Sequence, residues 1–263
     1  MSEDLNKIRK NKPLVHSITN LVVMNETANA LLCLGALPIM AHAKEEMDEM
    51  VSISSSLVLN IGTLTTDWID SMIIAGKTAN KLNKPVILDP VGAGATSFRT
   101  QSSKKILDNV KVSILRGNAG EVAALAGIDS EVRGVESIGA SQSSEEIAKA
   151  FAKSYGCTVA ITGKVDVVCD GQKTALITNG DEMLSRVVGT GCISNVIIAA
   201  FAGINSDPFA ASVGGLVALG IAGEIGAKIS GNKPGTFHTE LYNALYSITS
   251  EDMLNLAKVN IDN

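Results

Sequence analysis

The chain has 263 residues, a formal net charge of −5, and 46% hydrophobic but only 3% aromatic residues. It has no basic stripe with interleaved aromatics, which argues against nucleic acid as a partner, and its polar N-terminal segment lacks the apolar core of a signal peptide. The four cysteines (Cys33, Cys157, Cys169, Cys192) form no CxxC pair and no cluster with histidine, which argues against zinc and disulfides and predicts a cytoplasmic protein.

Short β-branched runs alternate with helical patterns through the first 161 residues. This alternation predicts an α/β fold with a mostly parallel central sheet and helices on both faces. The predicted strands are 14–18, 37–40, 57–61, 86–88, 112–115 and 158–161. The predicted helices are 25–34, 45–53, 68–82, 103–107, 119–126 and 144–154.

The pattern changes after Thr162. Strands are predicted at 165–169 and 173–177 around an Asp-Gly hairpin signal, then at 183–188, before helices at 192–202, 208–229, 239–249 and 251–259. Residues 127–144 are polar and predict an exposed loop, and residues 1–263 are expected to form a single domain. The stretch 208–227 has the length of a membrane span, but Glu224 and many small residues favour a buried helix, with no membrane as partner.

The most informative motif is Gly189-Thr190-Gly191-Cys192, which directly precedes the apolar run 193–204. Backbone N–H groups at a helix start lack intrahelical partners, and the helix dipole adds positive charge there. Glycines let a backbone close around an anion. The motif therefore predicts an anion cradle with a nucleophile beside it, whose position favours the Cys192 thiolate. The alternative is a tight turn with a buried cysteine.

Two further motifs follow predicted strands, where parallel sheets bind ligands. Asp89 precedes a glycine-rich loop, which suits a metal ion near a phosphate; an incomplete dinucleotide fingerprint or a plain turn are the alternatives. Arg116 suits phosphate. Asn118 and Glu121 can hold Mg²⁺ or form a helix capping box. Thr162 ends the next strand.

The three histidines lie far apart in the chain and support no Ser-His-Asp arrangement. His16 is either a base or, as is more usual for a lone histidine beside a strand, a structural residue. Neither His42 nor His238 points to a specific function.

Several segments, taken in order, resemble the hydroxyethylthiazole kinase family of the ribokinase-like fold. They are Pro13 to Asn20, Met40 to Glu46, Leu59 to Leu64, Asp89 to Thr96, Arg116 to Asn118 with Glu121, Ile161 to Gly163 with Asp166 to Val168, and Gly189 to Cys192. Each motif is modest, but the ordered set spans most of the chain and is specific.

The resemblance implies ATP-dependent phosphorylation of the hydroxyl of 4-methyl-5-(2-hydroxyethyl)thiazole in thiamine salvage, by a homotrimer with active sites between subunits. It implies that Arg116 and Thr162 contact ATP, with Asn118 beside them, and that Asp89 and Glu121 bind Mg²⁺. It also implies that Met40, Gly189 and Asn25 contact the substrate, Asn25 across a subunit boundary. Residues 189–191 would form the anion hole.

The chain departs from the wider ribokinase-like pattern at Cys192, where Asp is usual. A thiol with a pKa near 8.5 is a weak base at neutral pH, so the resemblance implies that Cys192 steers the alcohol and accepts its proton late. The alternatives are a kinase for another small alcohol, such as the pyrimidine half of thiamine or a pyridoxal-type vitamer, a non-catalytic vitamin-binding protein, and, more distantly, a NAD-dependent oxidoreductase.

Overall fold

The computed structural model describes residues 2–127 and 143–262. One continuous nine-stranded sheet runs through it, in the order β2-β1-β3-β4-β5-β6-β7-β8-β9. The strands are β1 (Leu14–Ile18), β2 (Leu37–Ile39), β3 (Ser56–Asn60), β4 (Val86–Asp89), β5 (Ile114–Asn118), β6 (Thr158–Thr162), β7 (Asp166–Cys169), β8 (Thr174–Ile177) and β9 (Val259–Asp262). The first six pair in parallel, and the last three add on in antiparallel pairing.

Eleven helices accompany the sheet within the described residues. They are α1 (Ser2–Asn11), α2 (Met24–Leu34), α3 (Met47–Ile53), α4 (Thr66–Lys81), α5 (Ser97–Asn109), α6 (Ala119–Ala126), α7 (Ser144–Tyr155), α8 (Thr190–Ala202), α9 (Pro208–Ser230), α10 (Pro234–Ser247) and α11 (Ser250–Asn255). The predicted loop at 127–144 lies, apart from its ends, outside the described residues.

The sheet divides the core into two layers. Alternate residues of a strand point to opposite faces, so Val58 packs with one cluster while Leu57 and Leu59 pack with the other. The first cluster takes its helical residues from α1, α2 and α8–α11, and the second from α3–α7. The predicted fold class, a mostly parallel sheet with helices on both faces, is confirmed.

The apolar helix α9 is a core element. It has a mean hydropathy of 1.6 over its most apolar window and is long enough to cross a membrane, but 83% of that window is buried in the protein. It packs against α8 and α10. Gly215 makes the first contact possible, because a Cβ there would lie 2.8 Å from the Ile198 Cα. The small residues seen in the sequence therefore serve close helix packing.

Two predictions about local structure are wrong, and one helix was not predicted. The predicted strand 183–188 is a 3₁₀ turn at Glu182–Arg186, capped by the Asp181 carboxylate, which accepts from the Met183 N–H at 2.9 Å. The predicted helix 251–259 ends at Asn255, and Val259–Asp262 instead forms the edge strand β9. The polar N-terminal segment, for which no element was expected, is the amphipathic helix α1, which buries Leu5 and Ile8.

The α8–α9 contact can be tested with one added methyl group. We expect Gly215→Ala to lower the free energy of unfolding by about 1–3 kcal/mol, because the new Cβ meets backbone that cannot rotate away. Gly235→Ala in α10 is the control: no atom lies within 4 Å of its added Cβ, and alanine favours helix. Urea unfolding measures both, and equal stability of Gly215→Ala and the wild type would contradict the close approach.

Candidate active site

Site residues line one edge of the sheet, at the carboxyl ends of six parallel strands. In spatial order across the sheet they are Met40 after β2, Asn20 after β1, Asn60 at the end of β3, Asp89 at the end of β4, Arg116 and Asn118 in β5, and Thr162 at the end of β6. With strands about 4.8 Å apart, this row is roughly 24 Å long. The sheet thus aligns residues that are up to 142 positions apart in the chain.

The glycine motif forms a tight entry into α8. Gly189 is the N-cap with φ +89°, a conformation that favours glycine, and a Cβ there would lie 2.9 Å from Val23 Cγ1. The Ile193 N–H donates to the Gly189 carbonyl at 2.7 Å and so closes the first helical turn. The N–H groups of residues 190–192 precede that bond and have no intrahelical acceptor. The predicted helix after the glycine motif is confirmed, although it begins at Thr190, two residues before the predicted start at Cys192.

A buried carboxamide network ties this turn to the sheet. The Asp89 Oδ2 accepts from the side-chain amides of Asn60 and Asn195, the latter at 2.8 Å. Asn20 donates to the Asn60 Oδ1 at 2.9 Å. Both Asn20 and Asn60 approach the Cys192 sulfur, at 3.5 and 3.3 Å. The network fixes the position of Cys192 above the ends of β1, β3 and β4.

The thiolate expected at Cys192 is wrong. Burial raises the pKa of this thiol to about 12, and the nearby Asp89 charge acts in the same direction. Hydrogen bonds from Asn60 and Asn20 and the charge of Arg116 oppose the shift without cancelling it. Desolvation therefore outweighs the helix terminus, and Cys192 is a neutral thiol at pH 7.

Asp89 lies in an environment that disfavours its charge. Its side chain is buried, and desolvation raises its pKa to about 7. The Arg116 charge and hydrogen bonds from Cys192 and Asn60 lower this pKa, while Glu121 raises it further. A nearby cation would stabilise the ionised form of this buried carboxyl group.

Arg116 lies beside the glycine turn on the other side. Its Nη2 donates to the Thr162 hydroxyl, and its Nη1 would lie 3.1 Å from a Cβ added at Gly191. Its Nε is buried and has no partner among the described residues. The structure thus places Arg116, Thr162 and the turn at residues 189–192 together, as expected, with donor capacity left for an anion.

Asn118 and Glu121 form the capping box that was the alternative to a Mg²⁺ role. The Asn118 Oδ1 accepts from the Glu121 N–H at 2.9 Å, and Glu121 Oε2 accepts from the Asn118 N–H at 2.8 Å. Glu121 Oε1 also accepts from the Gly92 N–H at 2.8 Å, which fixes the loop after Asp89. Glu121 is thus held close enough to Asp89 to influence its pKa.

Met40 and Asn25 make their hydrogen bonds outside the carboxamide network. Met40 is half-buried, and its carbonyl accepts from the His42 Nδ1 at 3.1 Å. Asn25 is exposed on the first turn of α2, where its Oδ1 accepts from Asn29 at 2.9 Å. His16 is structural: it is fully buried and donates to the Ala41 carbonyl at 3.0 Å, and burial lowers its pKa.

Four polar residues of the site were not predicted as site residues: Asn20 and Asn60 of the carboxamide network, Asn195 and Asp166. Asn195 falls in a run described as apolar, yet its spacing of three residues from Cys192 places both on one face of α8. Asp166 lies at the start of β7, where its Oδ1 accepts from the Gly163 N–H at 2.9 Å. Burial raises its pKa to about 6 against the opposing charge of Arg116. Through its contact with the Gly163 N–H, Asp166 holds the turn that follows Thr162.

A mostly parallel sheet with a glycine-led helix start and acidic residues at its carboxyl edge is typical of kinases of the ribokinase-like class. A model of the hydroxyethylthiazole kinase family matches residues 5–251. The chain belongs to this family.

Individual relatives agree. A hydroxyethylthiazole kinase from Desulfatibacillum aliphaticivorans is 52% identical over 95% of this chain and 92% of its own. The structure of hydroxyethylthiazole kinase from Pyrococcus horikoshii OT3 superposes with a TM-score of 0.91 at 44% identity, over 99% of this chain and 98% of that one. A pyridoxal kinase from Staphylococcus aureus in complex with AMP-PCP and pyridoxal shares the fold, with a TM-score of 0.66 at 15% identity over 95% and 98% of the two chains.

The state of Cys192 can be measured by alkylation. We expect iodoacetamide at pH 7.5, with EDTA and without nucleotide, to modify Cys192 at least about a hundredfold more slowly in the folded protein than in urea, because only the thiolate reacts. Its rate should rise about tenfold per pH unit up to pH 10 without levelling off, since the pKa lies above this range. Peptide mass spectrometry resolves the four cysteines, and a plateau below pH 9 would show a normal or activated thiol.

Proposed function

We propose that the protein phosphorylates the hydroxyl of 4-methyl-5-(2-hydroxyethyl)thiazole, with ATP as donor and Mg²⁺ as the metal, in thiamine salvage. The observation that supports this most is the order of side chains along the carboxyl edge. Met40 lies at one end, Arg116 and Thr162 lie towards the other, and the turn at residues 189–192 lies between them. We take the thiazole alcohol as the phosphoryl acceptor because the matching family and relatives are hydroxyethylthiazole kinases.

The order assigns two halves to the site. Met40 and Gly189 would contact the thiazole alcohol on the β2–β1 side, and Arg116, Thr162 and Asn118 would contact the nucleotide on the β5–β6 side. The amides of Thr190, Gly191 and Cys192 meet the transferred phosphoryl group in the middle, where its oxygens carry the negative charge. Holding both reactants along one row converts the transfer into an in-line step between neighbours.

Cys192 aligns the alcohol instead of deprotonating it. A thiol with a pKa of about 12 retains its proton at pH 7, so it offers the alcohol a fixed polar contact and no strong base. A loose phosphoryl-transfer transition state needs little prior deprotonation of the attacking hydroxyl. As the new O–P bond forms and the bond to ADP breaks, the hydroxyl proton passes late to an oxygen of the transferred phosphoryl group and leaves with the products. Catalysis then depends on position and on donors already in place, which the carboxamide network and Arg116 supply.

Asp89 and Glu121 fit a magnesium ion. Mg²⁺ takes oxygen ligands and is usually held by one or two carboxylates together with phosphates and water. Each Glu121 oxygen accepts one backbone N–H, in the capping box and at Gly92, and retains lone-pair capacity for a cation or its water. Among residues 2–127 and 143–262, no group of three or more His, Cys, Asp or Glu forms a complete metal cage, which suits an ion completed by the nucleotide. Bound there, Mg²⁺ would neutralise polyphosphate charge and would stabilise the ionised form of the buried Asp89 carboxyl, whose pKa burial raises.

The remaining expectations concern the assembly. We propose a single cytoplasmic domain over residues 1–263 that forms a homotrimer, with Asn25 reaching a neighbour's site. The apolar side chains Leu21, Val22 and Val188 support this, because they are 64%, 67% and 60% exposed. They lie on the segments that lead into α2 and into the turn at residues 189–192.

A coupled assay of ATP consumption tests the function. We expect turnover with the thiazole alcohol and Mg²⁺, none with EDTA, and far lower kcat/KM with pyridoxal or a hydroxymethylpyrimidine. Preference for one of the latter would support the alternative kinase, and no consumption with any alcohol would support a non-catalytic binding protein. Sedimentation of the same sample measures the assembly separately.

The metal role of Asp89 can be separated from its structural role. We expect Asp89→Asn to lower kcat at least about tenfold and to raise the Mg²⁺ concentration for half-maximal rate, while Tm stays within about 2 °C. The reason is that the asparagine oxygen can still accept from Asn60 and Asn195, although the charge is lost. Asp170→Asn, in the hairpin at the far end of β7, is the matched control. A magnesium titration identical to wild type would remove Asp89 from the metal site.

The contact between the glycine turn and Arg116 gives a second test. We expect Gly191→Ala to weaken equilibrium binding of a fluorescent ADP analogue about three- to tenfold, because the new Cβ pushes the guanidinium away from Thr162. The KM for the thiazole alcohol should change less than twofold. Gly235→Ala provides the remote control, and unchanged ADP binding in Gly191→Ala would separate Arg116 from the nucleotide.

A further inference from the structure

The segment that contains Met40 is held by two imidazoles. His42 Nδ1 lies 3.1 Å from the Met40 carbonyl, and His16 Nε2 lies 3.0 Å from the Ala41 carbonyl. A carbonyl oxygen only accepts, so each of these nitrogens bears a proton, which fixes the tautomer of each neutral ring. Two successive peptide groups are thus held from two sides, at the point where β2 has ended and no ladder bond holds the chain.

His42 is itself held by the only tryptophan of the chain. The rings of His42 and Trp68 are in tilted contact, with centroids 4.5 Å apart and planes at 30° to each other. Trp68 lies in the first turn of α4, and its backbone N–H donates to the Thr65 Oγ1 at 3.2 Å. Contact with a helix start places the His42 ring rigidly, because α4 packs into the core through Ile69 and Met72.

A second link joins the same segment to α4 without touching Met40. Lys44 pairs with Asp67 at 2.9 Å and with Asp70 at 3.3 Å. These pairs are exposed, and surface pairs contribute little. Neither pair involves the Met40 carbonyl, so the Lys44 link is independent of the His42 contact. The His42 Nε2 is buried and has no partner among the described residues.

We propose that His42 is a positioning residue for the thiazole alcohol: packed against Trp68, it holds the Met40 carbonyl and thereby the Met40 side chain against the substrate. The inference rests on the proposed function, because it takes Met40 as a substrate contact. It adds to the proposed function a residue on the alcohol side of the site, an imidazole that donates to a backbone carbonyl and packs against an indole. Trp68 then also reports on that side through its fluorescence.

The test compares three variants by steady-state kinetics and by calorimetric binding of the thiazole alcohol without nucleotide. We expect His42→Ala to raise both the KM and the Kd for the thiazole alcohol about tenfold, with the KM for ATP within twofold of wild type. His42→Asn should recover most of the affinity, because its amide nitrogen can donate where Nδ1 does. Lys44→Ala is the matched control and should bind like wild type.

Fluorescence gives an independent readout in the wild-type protein. The emission of Trp68 should change on adding the thiazole alcohol, with the calorimetric Kd, and should not change on adding ADP. An unchanged Kd in His42→Ala, equal losses for the alcohol and ATP, or a His42→Asn variant as weak as His42→Ala would each overturn the positioning role. Failure of the wild type to bind the thiazole alcohol would instead overturn the proposed function, which the first titration shows before any variant is made.

Discussion

The buried contact between Asp89 and two asparagine amides is the interaction on which the site depends. Asn60 ends β3, Asp89 ends β4, and Asn195 lies on α8, so one carboxylate oxygen joins two strands to the helix that begins at the glycine turn. Together with the Asn20 and Asn60 amides at the Cys192 sulfur, this contact fixes the height of that turn above the sheet. An isolated carboxylate in this position would be costly to bury, and its two donors offset part of that cost.

Parallel pairing of the strands then arranges the other residues of the site. Because the strand order differs from the chain order only at β1 and β2, residues from successive βα units come to lie side by side at one edge. The substrate half and the nucleotide half are separated by the breadth of β3 and β4, and the glycine turn covers that interval.

The sequence predicts the parts of this arrangement that are local. Strand cores, the start of α8 and the Asn118–Glu121 pair follow from β-branched runs, glycines and capping spacing. The strand expected at 183–188 fails because Asp181 caps a 3₁₀ turn there, a short-range preference that outweighs the apolar residues. The edge strand β9 is missed because its register is set by β8, about 80 residues away. The role of Asn195 is not predicted because its hydrogen-bond partner, Asp89, is 106 residues away in the chain.

The error at Cys192 has a general cause and a mechanistic consequence. A helix start favours an anion only when the anion keeps some solvation, and here burial among Asn20, Asn60 and the Asp89 carboxylate removes it. Under the proposed function, a site with a protonated thiol takes its rate from donors fixed in advance. The carboxamide network would fix those donors, so its asparagines would matter to catalysis although none of them transfers a proton.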